Sequence, residues 1–129
     1  MAVQGSINSA LGKNIGLWET TFLVHLTAAV ILVGVLATIS SNIDRNIFSR
    51  IPWYLYLGGV LGVLITYGVA MSIPELGVAV ATTSIIVGQV LTACLIDHLG
   101  LFGLEKVSFT WVKFAGVVFL ALGARLLLD

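Results

Sequence analysis

The sequence predicts an all-α integral membrane protein: a compact bundle of four full transmembrane helices plus an N-terminal half-helix, in one polytopic domain spanning residues 1–129. Three observations predict it. Hydrophobic residues make up 59% of the chain. Charged residues make up only 9%, against about 25% in a soluble globular domain, too few to cover a water-facing surface of this size. Four apolar runs, residues 17–40, 53–72, 77–96 and 109–128, approach the roughly 20 residues that a helix needs to cross about 30 Å of hydrocarbon.

Each element follows from its local pattern. Residues 1–12 make at most a half-span, roughly 18 Å of helix, too short to cross a bilayer. Val3, Ile7, Ala10 and Leu11 form one stripe of it, and Gln4 and Asn8 share another face. Gly12 and Gly16 are placed to end it and turn the chain. With no apolar h-region there, no cleavable signal peptide is expected. After the first full span, Ile43, Ile47, Phe48 and Ile51 recur at helical spacing beside Asp44, Arg45 and Arg50, which suits a short interfacial helix. Pro52 opens the next span, where Trp53, Tyr54 and Tyr56 supply an aromatic belt. Gly58 and Gly62 make a GxxxG pair that permits close helix approach. Tyr67, next to Thr66, is the largest polar group of that helix. The stretch Ser72-Ile73-Pro74-Glu75 reads as a tight turn between antiparallel neighbours, with Glu75 at the positive N-terminus of the third span. In the last span Gly116, Leu120, Gly123 and Ala124 form a smooth ridge suited to a second protomer.

Polar residues inside apolar runs are the candidates for function, because an unpaired hydrogen-bonding group in hydrocarbon costs several kcal/mol. Glu19 lies about two residues inside its span, where it is either a helix-start anion or a pathway carboxylate. His25 falls near mid-span, on the face of Trp18 and Thr21 and about 120° away from Glu19. It is either a proton-coupling group, since histidine changes charge near neutral pH, or a neutral packing partner between helices. Gln89, on one side of its helix with Thr82 and Thr92 and beside Gly88, is either a cavity wall or an interhelical hydrogen bond. Asp97 and His98 end the same helix. An aspartate there opposes the helix dipole, so a loop-stabilising partner is expected from Arg45, Arg50 or Lys106. Cys94, Asp97 and His98 share one helix end without a second ligand pair elsewhere, so no metal is expected. The lone Cys94 excludes a disulfide within one chain.

The stretches VQGSINSALGKNIG and GVAVATTSIIVGQVLTACLIDHLGLFGL resemble the YdcZ-like family of the drug/metabolite transporter superfamily, whose members are described as inner-membrane exporters. The most specific element is Gly88-Gln89 followed by Asp97-His98-Leu99-Gly100-Leu101-Phe102-Gly103. The resemblance runs over nearly the whole chain. It implies five helices, the first of which is shortened here, and a place in the bacterial inner membrane.

Two functions are therefore open. One is a small-molecule transporter, an exporter by resemblance, working by alternating access around a midplane polar cavity lined by Gln4, Asn8, His25, Tyr67 and Gln89, with Trp18 and Glu19 at its edge. The other is a non-transporting membrane subunit or assembly factor whose polar residues only hold helices together. No nucleophile-base constellation or phosphate-binding glycine loop suggests an enzyme, and no cofactor is implied. Six Lys/Arg cancel six Asp/Glu, which leaves no basic patch for nucleic acid. Four spans and a stub are few to surround a cavity, so a homodimer in the lipid bilayer is expected, parallel or antiparallel. Lys13 and Arg125 fall on one side and Arg45, Arg50, Lys106 and Lys113 on the other, a small excess that allows either a single or a dual orientation.

Overall fold

The computed structural model describes residues 1–39 and 50–128. Five α-helices follow one another: α1 (Ala2–Ile15), α2 (Leu17–Ile39), α3 (Gly58–Leu76), α4 (Val78–Leu99) and α5 (Trp111–Leu128). Short 3-10 turns, Trp53–Leu57 and Leu101–Gly103, precede α3 and follow α4. No strand occurs among the described residues. Three segments are long and apolar enough to cross a membrane: Leu17–Ile39, Trp53–Leu76 and Val78–Leu99. The fourth expected span, α5, has 18 residues and carries Lys113 and Arg125 near its ends. Helix α1, at 14 residues, is about 21 Å long and too short to span. The expected interfacial helix around Ile43 and Ile47, with Asp44 and Arg45, lies outside the described residues.

The described chain forms two compact units, residues 3–71 and residues 1–2 with 72–129. In the first, α1 gives way to α2 through a single residue, Gly16, whose φ of 101° belongs to glycine. Its N–H bonds Gly12 O at 3.0 Å and its carbonyl accepts from Thr20 N–H at 3.1 Å, so the turn leaves neither backbone group orphaned. A side chain at Gly16 would also collide with the carboxylate of Glu19, which folds back over it. Helix α1 buries Gly5, Asn8 and Ser9, with Gly12 continuing the row one turn on. The small residues at i, i+3, i+4 and i+7 thus face protein. Val3 and Ile7 are exposed, and of Gln4 and Asn8, expected together on an inward face, Asn8 is buried and Gln4 is exposed. The apolar stripe faces outward because lipid solvates it, whereas small residues let backbones approach.

Helices α2 and α3 run antiparallel within this unit. Trp18 stacks on Tyr67, with ring centroids 4.3 Å apart and an interplanar angle of 31°. Seven residues on, His25 Nε2 lies 3.7 Å from where a methyl on Gly62 would stand. Rising numbers on α2 thus meet falling numbers on α3. Beyond His25 every residue from Leu26 to Ile39 is exposed.

In the second unit α4 packs against α5. Lys113, Val117, Leu120 and Ala124, the less exposed residues of α5, recur at i, i+4, i+7 and i+11 and mark its packed stripe. The ridge expected to meet a second protomer is therefore divided: Leu120 and Ala124 lie on this stripe, whereas Gly116 and Gly123 are exposed. The turn expected at Ser72 to Glu75 also falls elsewhere. Pro74 is accommodated in the last turn of α3, and the break comes at Gly77, with φ 82°. Glu75 consequently ends α3 and does not head α4. The loop after α4 is closed by Gly100 in the left-handed region (φ 64°, ψ 42°). Its N–H bonds Ile96 O at 2.8 Å, and Val107 N–H reaches back to Asp97 O at 2.9 Å.

A methyl on Gly100 would stand 3.3 Å from Lys106 Cβ and 3.4 Å from Leu104 O, besides straining a left-handed backbone. Gly100→Ala should cost about 1–2 kcal/mol in thermal unfolding in detergent. Gly88→Ala, in a helix with open space around it, should gain about 0.5–1 kcal/mol. Equal effects at the two positions would contradict this account of the loop.

Candidate functional site

Inside a membrane helix a hydroxyl is usually satisfied by the carbonyl one turn back, and this chain does so repeatedly. Thr21 Oγ1 donates to Leu17 O, Thr27 to Leu23 O and Thr92 to Gly88 O, each at 2.8 Å. Thr20 is the exception. It is 0% exposed, and its hydroxyl has no hydrogen-bond partner. It faces Gly12, since a methyl there would lie 3.7 Å from Thr20 Oγ1. Asn8, one turn before Gly12 on the same row, is 6% exposed. Together with Ser9 and Thr21 these are the buried polar residues among those described. The buried apolar residues are Ala70, Ile73, Ala81 and Ala124. Three of these four are alanines, and bulky side chains such as Phe22, Leu36 and Phe119 turn outward. This inverts a soluble core. In the first unit the buried side chains are those of Asn8, Ser9, Thr20 and Thr21 with Ala70, and large apolar groups such as Phe22 and Leu36 are exposed.

His25 continues this seam. Its Nδ1 is 2.8 Å from Thr21 O. The ring is half-buried, between α2 and the Gly62 level of α3. The Trp18–Tyr67 pair closes the same flank, worth about 0.5–1.5 kcal/mol beyond the area it covers. Glu19 is exposed and tucked against Gly16 at the start of α2, a position favoured by the helix dipole. The first unit thus holds Asn8, Trp18, Glu19, His25 and Tyr67 of the residues singled out by sequence, plus Gln4 on an exposed face. Gln89 belongs to the second unit, where its amide donates to Met1 Sδ at 3.6 Å. Sequence reasoning did not single out Ser9 and Thr20. Their signal was the small-residue row Gly5, Asn8, Ser9 and Gly12 at helical spacing opposite a Thr-Thr pair.

At the end of α4, Asp97 holds the loop through its main chain. Its carboxylate makes no ion pair among the described residues, which include Arg50 and Lys106 but not Arg45. Cys94 and His98 border a groove of ≈ 260 Å³ with Leu91, Leu95 and Phe109. No group of three or more His, Cys, Asp or Glu side chains is placed to hold a metal among the described residues. A second groove, ≈ 420 Å³, is lined by Phe109, Thr110, Trp111 and Phe114. There Thr110 Oγ1 accepts from Lys113 N–H at 3.3 Å and caps α5.

Three helices of spanning length and apolar composition fit a helical membrane protein. The family profile described as "Putative inner membrane exporter, YdcZ" matches residues 1–126, and the chain belongs to that family. No curated protein and no solved structure gives a match.

An unpartnered buried hydroxyl carries a desolvation cost of about 1–3 kcal/mol. Thr20→Val, which keeps the shape and removes the hydroxyl, should therefore raise stability by about 1 kcal/mol, whereas Thr27→Val, exposed and locally satisfied, should stay within about 0.5 kcal/mol of the parent. A marked loss on Thr20→Val, read from the melting temperature in detergent, would mean that the hydroxyl does have a partner.

Proposed function

We propose that this chain is half of a dimeric small-molecule exporter, working by alternating access about a midplane polar cavity, and that the seam of Asn8, Ser9, Thr20, Thr21 and His25 is its substrate-facing wall. One observation carries the reading: in a chain whose large apolar residues point outward, four of the buried residues of the first unit, Asn8, Ser9, Thr20 and Thr21, are polar, and the hydroxyl of Thr20 has no partner. Helix glue needs its hydrogen bonds made; a ligand wall leaves some open until the ligand arrives. The family to which the chain belongs supports export as the direction.

In this reading residues 1–129 act as one polytopic domain of the bacterial inner membrane, with α5 as the fourth crossing. Transporters of this kind are commonly assembled from two repeats around a central site, and this chain supplies one. The second copy would meet the exposed Gly116 and Gly123 flank of α5, where small residues admit a close backbone.

A thermal-shift screen of purified protein against metabolites, amines and antiseptic cations tests the exporter reading. A ligand at about 100 times its Kd stabilises by about 2.7 kcal/mol. Asn8→Ala and His25→Gln should lose that response while still folding. If both variants unfold and no compound stabilises the parent, the polar seam is structural glue and the chain is a non-transporting subunit.

Crosslinking tests the dimer. In a Cys94→Ser background, Gly116→Cys or Gly123→Cys should crosslink between copies, and Ala124→Cys, turned toward α4, should not. The two glycines sit symmetrically about the middle of α5. An antiparallel pair therefore joins position 116 to position 123, and a parallel pair joins each to itself. A protein that stays monomeric in lipid and in mild detergent would end the dimer proposal.

A further inference from the structure

The unit that holds α4 and α5 carries two apolar grooves with one wall in common. Phe109 borders both, the ≈ 260 Å³ groove with Leu91 and Leu95 of α4 and the ≈ 420 Å³ groove with Trp111 and Phe114 of α5. Leu91 and Leu95 lie in the last turns of α4, which ends at Leu99, and Trp111 and Phe114 open α5. Both grooves therefore sit at one edge of the membrane. Trp111 stands edge-on to Phe114 with ring centroids 6.0 Å apart, and it is 85% exposed, as suits an aromatic residue at the headgroup level. Between the grooves lies a cation. Lys113 is half-buried on the stripe of α5 that faces α4, and neither Asp97 nor Glu105 at this end of the unit pairs with it among the described residues. Thr110, one turn before it, accepts from Lys113 N–H at 3.3 Å, which leaves the hydroxyl proton free to donate.

We propose that this corner binds one diacyl phospholipid of net negative charge, with its phosphate at Lys113 and Thr110 and one acyl chain in each groove. The chemistry of the corner names the occupant. Two apolar grooves that meet at one wall match two acyl chains, and a lysine between membrane helices without an acid beside it takes an anionic headgroup. A zwitterionic lipid fits less well, because its own cation already balances its phosphate. The aromatic side chains hold the chains by contact, and Lys113 supplies the selectivity. The site also leaves the proposed dimer contact free: at 3.6 residues per turn, Trp111 and Phe114 stand about 120–180° around α5 from Gly116 and Gly123. The lipid site does not rest on the exporter reading.

The experiment places the full chain in phosphatidylcholine vesicles that contain a minor fraction of either phosphatidylglycerol or phosphatidylcholine brominated on its acyl chains. Bromine quenches tryptophan on contact, and subtracting the signal of Trp111→Phe isolates Trp111. Brominated phosphatidylglycerol should reach Trp111 with an affinity about fivefold above that of brominated phosphatidylcholine, the effect of one lysine close to an anionic headgroup. Lys113→Gln should abolish that preference, whereas Lys106→Gln, on the exposed loop, should keep it. Quenching by brominated phosphatidylcholine that is unchanged in Lys113→Gln shows that the corner still folds. Equal quenching by the two lipids in the parent would overturn the proposal, and so would an equal loss in both lysine variants, which would mean diffuse surface charge. Quenching by neither lipid would mean that protein, such as a second copy of the chain, covers the grooves, and the lipid site would fall.

Discussion

Hydrocarbon offers no hydrogen bonds, so each polar group this chain carries into the membrane must be satisfied by the chain, by a ligand or by trapped water. That constraint organises the structure. It keeps the backbone helical, and it makes Thr21, Thr27 and Thr92 bend their hydroxyls back to carbonyls of their own helix. It also sends polar side chains that cannot do so to the buried face. Because lipid solvates leucine and phenylalanine as well as a protein core does, the buried apolar residues among those described are few: Ala70, Ile73, Ala81 and Ala124. Helices instead meet through small residues, as along Gly5, Asn8, Ser9 and Gly12 or at Ala81 and Ala124.

The same constraint explains what the sequence could and could not reveal. Helix positions were legible because apolar length is nearly the whole signal for a spanning helix, and Gly16 and the Asp97-His98-Leu99-Gly100 end of α4 were legible as turns. Faces were harder to read. On α1 the face shared by Gln4 and Asn8 is legible only in part, since Asn8 is buried and Gln4 is exposed. Leu120 and Ala124 were grouped with Gly116 and Gly123 because all four are compatible with close packing. Only the structure shows α4 occupying one flank of that ridge. Pro74 looked like the break between helices, yet a proline near a helix end costs little when the following glycine can take the positive φ, and Gly77 does so.

Seen from the site, the two ends of the seam differ in kind. Thr20 offers a buried hydroxyl without a partner, and Asn8 a buried amide. His25 offers an imidazole held at Nδ1 by Thr21 O, with the stacked Trp18 and Tyr67 as its flank. Under the proposed exporter reading, such a seam would take a molecule that is partly apolar and carries a few polar groups.

In the proposed exporter this seam meets water and substrate within the bilayer, and thiol chemistry reads it directly, because the thiolate that reacts forms only where water reaches. In a Cys94→Ser background, a charged, membrane-impermeant thiosulfonate applied to sealed vesicles should modify His25→Cys and leave Ile31→Cys, on the exposed apolar stretch of α2, untouched. Modification of both alike, or of neither, would contradict the account.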